Sequence, residues 1–276
     1  MSQLSRFLPA VLVLSLLALA WWIGPIAQPA AYHAFADEAR RFGLPHAADV
    51  LSNAVFAAVA LRGWLLLAPR RCETCLADGW PGYALFLCAL FLTALGSAYY
   101  HLAPDNARLV WDRLPIALAC AGLLAGVRGD VLRRNALAAS AGLALYALGS
   151  VAWWHLGEMA GRGDLRPYLL LQLLPLLLIP LWQGLHGVAS DERRRFAVAL
   201  ACYALAKVAE HFDHRIADAL HGALTGHTVK HLLAGLAAWL IVRALAARAE
   251  GRTQPSACAK GISKSALRLW PGCLRG

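Results

Sequence analysis

Eight long apolar segments constrain the fold of this chain more than any other feature. No strand-like alternation of apolar and polar residues interrupts them. Each segment is close to the length of about 20 residues that an α-helix needs to cross a bilayer. The sequence therefore predicts an all-α fold, a polytopic membrane helix bundle. The segments cover approximately residues 7–26, 48–67, 82–101, 110–127, 136–156, 168–186, 195–213 and 227–247.

The composition supports a membrane protein and argues against a nucleic-acid partner. Hydrophobic residues make up 59% of the chain and charged residues 15%, whereas soluble domains average about 25% charged residues. The mean hydropathy is +0.53. Much of the net charge of +10 lies in short loops and in a basic C-terminal tail. That placement is typical of membrane orientation and of contact with anionic lipid.

The apolar segments divide the chain into three parts. Residues 1–30 are expected to form an N-terminal transmembrane helix, a possible signal anchor. A cleaved signal peptide is the alternative, but the apolar run is longer than the usual h-region of about 7–15 residues. Residues 31–250 are expected to form a seven-helix domain. Residues 251–276 form a basic, polar tail that we expect to be disordered.

The distribution of arginines predicts the orientation of the bundle. If the N-terminus is inside, twelve arginines fall toward the inner side and seven toward the outer side. Cytoplasmic ends of membrane proteins carry an excess of Arg and Lys. We therefore expect both termini to be cytoplasmic.

Unusual polar side chains collect at one end of the predicted bundle, the outer end. Interfacial caps would populate both ends, and ionisable groups inside apolar spans are costly, so this convergence indicates a functional site. Two helices each carry a pair of polar residues spaced i and i+4, which places each pair on one helix face. The residues are Asp49, Ser52, Asn53, Ser97, His101, Asp112, His155, Glu210, Asp213, His227 and His231.

Three imidazoles in this set, those of His101, His227 and His231, predict a metal site. Three protein ligands plus one water are typical of catalytic zinc, and imidazole also suits iron or copper. Zinc lowers the pKa of its bound water to about 7. Asp112 is then the expected general base and later general acid. Ser97 could hold a substrate carbonyl or stabilise the developing oxyanion.

The remaining polar residues have structural alternatives. Glu210 and Asp213 could pair with Lys207 or could accept hydrogen bonds from the ligand histidines. Asp49, Ser52 and Asn53 are expected to support the metal ligands or to stabilise the structure nearby. A C-x-x-C sequence occurs at residues 72–75, but no second pair follows to complete a zinc site.

The sequence resembles the alkaline ceramidase family, within the wider CREST group of seven-helix membrane hydrolases and receptors. The likeness covers about residues 45–247. It is carried by a combination of short motifs, each of which is unspecific alone. They are Asp49-Val50-Leu51-Ser52-Asn53, Gly96-Ser97-Ala98-Tyr99-Tyr100-His101, Trp111-Asp112-Arg113, Glu210-His211-Phe212-Asp213 and Gly226-His227-Thr228-Val229-Lys230-His231.

The resemblance implies a zinc-dependent amidase that hydrolyses the N-acyl bond of ceramide or of a related N-acyl lipid taken from the bilayer. It assigns the zinc to the three histidines, the work on water to Asp112, and assistance at the carbonyl to Ser97. A bacterial-type member would lie in the inner membrane, with the site facing the periplasmic side.

Two features depart from that family. An extra first helix precedes the seven-helix core, and the acidic N-terminal pattern that holds calcium in eukaryotic ceramidases is not evident, since Asp37 and Glu38 are the only nearby acids. The sequence therefore gives no support for calcium. The alternative function is a receptor-like or sensory seven-helix protein with a structural zinc site.

Overall fold

The computed structural model describes residues 6–251, and this part of the chain is an all-α polytopic membrane helix bundle. No strand occurs within it. The tail predicted to be disordered lies outside the described residues. The helices are α1 (Leu8–Ile23), α2 (Ala47–Ser52), α3 (Ala54–Leu67), α4 (Trp80–Leu102), α5 (Asn106–Leu132), α6 (Leu137–Met159), α7 (Arg166–Leu185), α8 (Ser190–His211), α9 (Asp213–Ala219) and α10 (Gly226–Ala249).

Each of the eight predicted segments contains a helix, and the main difference is a break in the second one. The side chains of Ser52 and Asn53 both donate hydrogen bonds to the backbone carbonyl of Asp49, at 3.1 and 2.8 Å. This carbonyl would otherwise accept from the helix backbone, so the side chains compete with helix continuation. Helix α2 therefore ends at Ser52, and α3 begins at Ala54.

Six helical stretches are long and apolar enough to span a membrane: Ala47–Arg70, Trp80–Leu102, Asn106–Leu132, Leu137–Met159, Arg166–Leu185 and Gly226–Ala249. Helix α1 has only 16 residues and none is buried. It packs against α7, where Arg166 Nη1 donates to the Ala20 carbonyl. Helix α8 carries charged residues in its first and last turns, which lower its hydropathy although it packs closely against α10. Of the eight predicted spans, these two therefore lack the length or the hydropathy of a membrane-crossing helix, which the other six have.

A buried ionic network fastens the helices at the end of the bundle opposite to the histidines. Arg248 near the end of α10 pairs with Asp130 of α5 and, at 3.2 Å, with Glu192 of α8. The hydroxyl of Tyr83 also donates to Asp130. Breaking a buried pair leaves an uncompensated charge, which is strongly destabilising. The network therefore fixes the ends of α4, α5, α8 and α10 that lie away from the histidines relative to one another.

An irregular segment, residues 24–46, crosses the histidine end of the bundle, and we refer to it as the cover segment. Its start is held by Asp164, which accepts from the Ile26 backbone N–H at 3.2 Å. Its middle is held by Asp213, which accepts from the Ala36 N–H at 2.9 Å. These long-range contacts place the chain that follows α1 directly over the site end.

The C-x-x-C sequence lies between α3 and α4, at the end opposite to the histidines. Cys72 and Cys75 are both disulfide-bonded. They are therefore not free thiolates available to a metal, which agrees with the sequence interpretation that disfavoured a metal-binding role.

Candidate metal centre

The rings of His101, His227 and His231 meet at one end of the bundle, where α4 ends and α10 begins. The centroids of the three rings are 4.7 to 5.3 Å apart, and all three side chains are buried. One nitrogen from each ring lies within 4.8 Å of the other two, so the group could hold a metal ion. Zinc bound by all three rings, with bonds of about 2.0–2.1 Å, would require these nitrogens to lie closer together than 4.8 Å.

The hydrogen bonds around His231 fix which nitrogen is free for a metal. Ser52 Oγ lies 2.7 Å from His231 Nδ1 and donates its own hydrogen to the Asp49 carbonyl. The Ser52 oxygen must then accept from Nδ1–H, which leaves the lone pair on Nε2. That Nε2 is buried without a hydrogen-bond partner. A buried ring held in this way is the arrangement found for metal-ligating histidine.

The nitrogens of the other two rings differ in whether they already have a hydrogen-bond partner. Both ring nitrogens of His101 are buried and lack a hydrogen-bond partner, which is costly unless a ligand completes the site. In contrast, His227 Nε2 accepts from the Lys230 ammonium at 3.1 Å. A metal bound through that nitrogen would displace the lysine. The donor set of three neutral imidazoles therefore fits a metal, with His101 the least satisfied ligand in its absence.

The close approach of α4 and α5 brings the predicted catalytic residues to the histidines. Gly96 packs directly against the Trp111 carbonyl, and a Cβ at this position would lie 1.9 Å from that oxygen. No side chain can be accommodated at such a distance. The contact sets Ser97 and Asp112 beside each other on facing helices.

Asp112 and Ser97 line one cavity with His231, which we call the inner cavity. Asp112 is buried, and its Oδ1 has no hydrogen-bond partner. The inner cavity has a volume of about 110 Å³ and continues into the bundle between apolar residues such as Leu200 and Ile241. The structure therefore brings together the three histidines, Asp112 and Ser97, as the sequence predicts. His155 instead lies against Trp154.

The start of α10 is positioned by Asp213 and Asp49. Asp213 Oδ1 accepts from the His227 backbone N–H at 2.7 Å, and Asp49 Oδ1 accepts from the Thr228 hydroxyl at 2.6 Å. Thr225 caps the helix through the Thr228 N–H. A side chain on Gly226 would collide with the Ala209 carbonyl at 2.2 Å. The carboxylates thus act on the backbone and on hydroxyl groups, rather than on the imidazole rings.

Glu210 takes the first of the two roles left open by the sequence. Its carboxylate pairs with Lys207 at 2.9 Å and with Lys230 at 2.6 Å. It therefore neutralises two lysines at the edge of the site and does not accept from a ligand histidine. Asn53 donates to the Asp49 carbonyl at the helix break, so its role is structural.

Three site residues were missed by the sequence analysis. Phe35 of the cover segment lies edge-on to His101 and His227, with ring centroids 4.7 and 4.6 Å away. Lys230 contacts His227, and Arg113 lies beside Asp112 in the chain. The i, i+3 spacing of His227 and Lys230 could have identified the lysine, because such residues are neighbours on a helix. No sequence signal connects Phe35 with residues far along the chain.

A second cavity, the outer cavity, reaches the site from the other side. Its volume is about 670 Å³, and it lies beside the cover segment and between α7 and α8. Its lining includes Arg113, Lys207 and His227 together with aromatic and apolar residues. The histidines are therefore flanked by a narrow apolar space inside the bundle and by a wider space with charged groups.

Asp37, one of the two acidic residues near the N-terminus, binds the backbone at the start of α2. Asp37 is buried, and its Oδ2 accepts from the backbone N–H groups of Ala48 and Asp49 at 2.8 and 3.0 Å. It caps the start of α2. Within residues 6–251, the three histidines are the one group of potential ligands with metal-binding geometry.

Asp164 is an electrostatic anchor outside the spans. Burial disfavours its charge, but hydrogen bonds from Arg166, Ile26 and Trp153 outweigh this effect and lower the pKa of the Asp164 carboxyl to about 2. The ionised carboxylate accepts from the Arg166 guanidinium at 2.8 Å. It therefore holds the cover segment to the start of α7 over a wide pH range.

Comparisons with protein-family models, with curated proteins and with solved structures found no match.

Proposed function

We propose that the protein is a zinc-dependent intramembrane amidase that hydrolyses the N-acyl bond of ceramide or of a related N-acyl lipid. One observation carries the proposal: three buried histidines, with unpartnered nitrogens on His101 and His231, lie beside a buried aspartate. A structural zinc site needs no such neighbour, whereas a hydrolytic one needs a proton carrier. The resemblance to alkaline ceramidases adds the substrate class.

His101, His227 and His231 would hold the metal, which when bound supplies a Lewis acid and activates water at neutral pH. Asp112 takes a proton from the attacking water and delivers it to the departing nitrogen. The C–N bond breaks, the acyl carbon gains the hydroxyl oxygen, and fatty acid and free amine leave. The Ser97 hydroxyl would donate to the carbonyl oxygen as negative charge develops.

The two cavities match the two halves of such a lipid. The inner cavity is lined mostly by apolar side chains and begins at Ser97, Asp112 and His231. An acyl chain would enter this space, with its carbonyl at the polar end. The amine half would then lie in the outer cavity, on the side of His227. The cover segment closes the site toward the aqueous phase.

For the orientation, we propose the arrangement that the arginines favour, with both termini cytoplasmic and the site on the periplasmic side of a bacterial inner membrane. The disulfide-bonded Cys72 and Cys75 would then lie on the cytoplasmic side, although disulfides are typical of oxidising compartments. A fusion of alkaline phosphatase to the C-terminus tests this point. An inactive fusion supports the proposed orientation, and an active one reverses it.

The central experiment compares the purified wild type with two variants on labelled ceramide and on N-acyl ethanolamine. The wild type should contain about one zinc per chain and release fatty acid. His231→Ala should lose both metal and activity. Asp112→Asn should keep the metal but lose turnover by about 10²–10⁴-fold, the usual contribution of a general acid–base residue. Full fatty-acid release by His231→Ala would refute the amidase proposal.

The same variants distinguish the alternative of a receptor-like protein with a structural zinc. In that case the wild type should bind zinc but release no fatty acid from either substrate. His231→Ala should then lower thermal stability, and Asp112→Asn should leave both zinc content and stability unchanged.

A further inference from the structure

We propose that Arg113 forms an anion subsite in the outer cavity, so that the preferred substrate carries a carboxylate or phosphate on its amine half. The inference rests on the proposed function. Arg113 has only 2% of its surface exposed. Its Nε and Nη1 atoms are buried without a hydrogen-bond partner, and within residues 6–251 no carboxylate lies within ion-pair distance of its guanidinium.

The surroundings of Arg113 hold the guanidinium in place but do not neutralise it. It lies over the rings of Trp154, Tyr32 and Tyr168, at 4.0, 4.8 and 5.4 Å from their centroids. Aromatic faces attract a cation and restrict its orientation. They accept no conventional hydrogen bonds and carry no charge. A guanidinium that is always protonated therefore stays buried with its donors on Nε and Nη1 unused.

The position of Arg113 relates it to the reaction. It follows Asp112 on α5, and it lines the outer cavity together with His227, whereas Asp112 lines the inner cavity. A lipid with its acyl chain in the inner cavity would thus place its amine half toward the guanidinium. Carboxylate and phosphate oxygens match the planar arginine fork. The other cation of the outer cavity, Lys207, is already paired with Glu210.

The test uses pairs of substrates that share an acyl chain and differ in head charge. The pairs are N-palmitoylglycine with N-palmitoylethanolamine, and ceramide 1-phosphate with ceramide. The zinc-loaded wild type should hydrolyse one or both anionic members at least about tenfold faster in kcat/KM, a difference of about 1.4 kcal/mol. Arg113→Gln should abolish this preference, so that the anionic and neutral members of each pair differ by no more than about threefold in kcat/KM. Arg108→Gln is the matched control, because Arg108 lies on the same helix but is half-buried and paired with Asp105.

Thermal stabilisation by the same lipids gives a second readout that does not need turnover. N-palmitoylglycine should stabilise the wild type more than N-palmitoylethanolamine does, and Arg113→Gln should remove the difference. Inorganic phosphate at millimolar concentration should stabilise much less than the anionic lipid. If phosphate alone is as effective, the site binds free anions and the substrate inference is overturned.

The outcomes separate the two proposals. Hydrolysis without a preference for charge, or a preference that survives in Arg113→Gln, overturns the subsite but keeps the amidase. Anion-dependent stabilisation that requires Arg113, without hydrolysis of any substrate, keeps the subsite and refutes the amidase. If Arg113→Gln does not fold, two other measurements decide whether the subsite exists. They are the preference of the wild type for anionic substrates and the preference of Arg113→Lys, which should keep part of that of the wild type.

Discussion

Replacement of Ser52 by alanine should weaken metal binding without touching a metal ligand. The Ser52 hydroxyl is 2.7 Å from His231 Nδ1 and passes its own hydrogen to the Asp49 carbonyl. In Ser52→Ala, the Nδ1–H of His231 loses the hydroxyl acceptor at 2.7 Å. Since His231 is only 2% exposed, water cannot readily take the place of the hydroxyl.

The magnitude follows from that geometry. A buried donor left without a partner costs about 1–3 kcal/mol, and loss of a residue that orients a metal ligand typically weakens metal binding about 10–100-fold. A tenfold change corresponds to about 1.4 kcal/mol, so the two estimates agree. We expect zinc affinity of Ser52→Ala to fall by about 10–100-fold, and Ser52→Thr, which keeps the hydroxyl, to restore most of it.

The assay is a competition titration of the purified protein with a chromophoric zinc chelator, combined with metal analysis after dialysis. Ser150→Ala is the matched control: its hydroxyl is also buried, but it donates to the Ala147 carbonyl within α6. The control should bind zinc like the wild type. If Ser52→Ala binds zinc within twofold of the wild type while His231→Ala does not bind it, the assigned role of Ser52 is wrong.

Two further predictions concern packing and pH. Gly96→Ala should lower both activity and thermal stability, because the added Cβ would lie 1.9 Å from the Trp111 carbonyl and must push α4 and α5 apart. Gly149→Ala is the control, because a Cβ at this position meets nothing within 4 Å. Equal melting temperatures of the two variants would contradict the packing argument. Asp164→Asn should destabilise the protein by a constant amount above about pH 4. Because the pKa of Asp164 is lowered from 3.8 to about 2 in the folded protein, its contribution to the free energy of unfolding should decline as pH falls from about 4 to 2. If the stability difference between wild type and Asp164→Asn persists at pH 2, the charge is not responsible for it.

The helices could be predicted from the sequence because each apolar run must satisfy its own backbone hydrogen bonds in lipid. Helix α10 starts at Gly226, one residue from the predicted start at 227. The break after Ser52 could not be predicted, because it depends on two side chains that both donate hydrogen bonds to the Asp49 carbonyl. The charged ends of α8 could be seen in the sequence. The position of this less apolar helix in the bundle depends on its packing against α10, which the sequence does not show.

The histidine cluster could also be predicted in large part, because the three histidines, Ser97 and Asp112 lie toward one end of their apolar segments. The buried ionic network of Asp130, Glu192 and Arg248 at the opposite end was not predicted. Which polar groups touch the rings was not predictable. Ser52 reaches the Nδ1 of His231, whereas Asp213 reaches a backbone N–H. Spacing along a helix assigns a residue to a face but does not set the distance to a neighbouring helix. The contact of Phe35 with His101 and His227 depends on the path of an irregular segment, for which no periodicity exists.

The cover segment also has a consequence for how the protein is made. Its Ala36 N–H is held by Asp213, a residue 177 positions later in the chain, and Phe35 rests on His227. Residues are inserted into the membrane in chain order during synthesis, so the cover segment emerges long before its partners. The histidine cluster is completed only when α10 arrives. A partly synthesised chain therefore cannot bring the three histidines together, and the proposed zinc site and amidase activity would be acquired only in the last step of assembly.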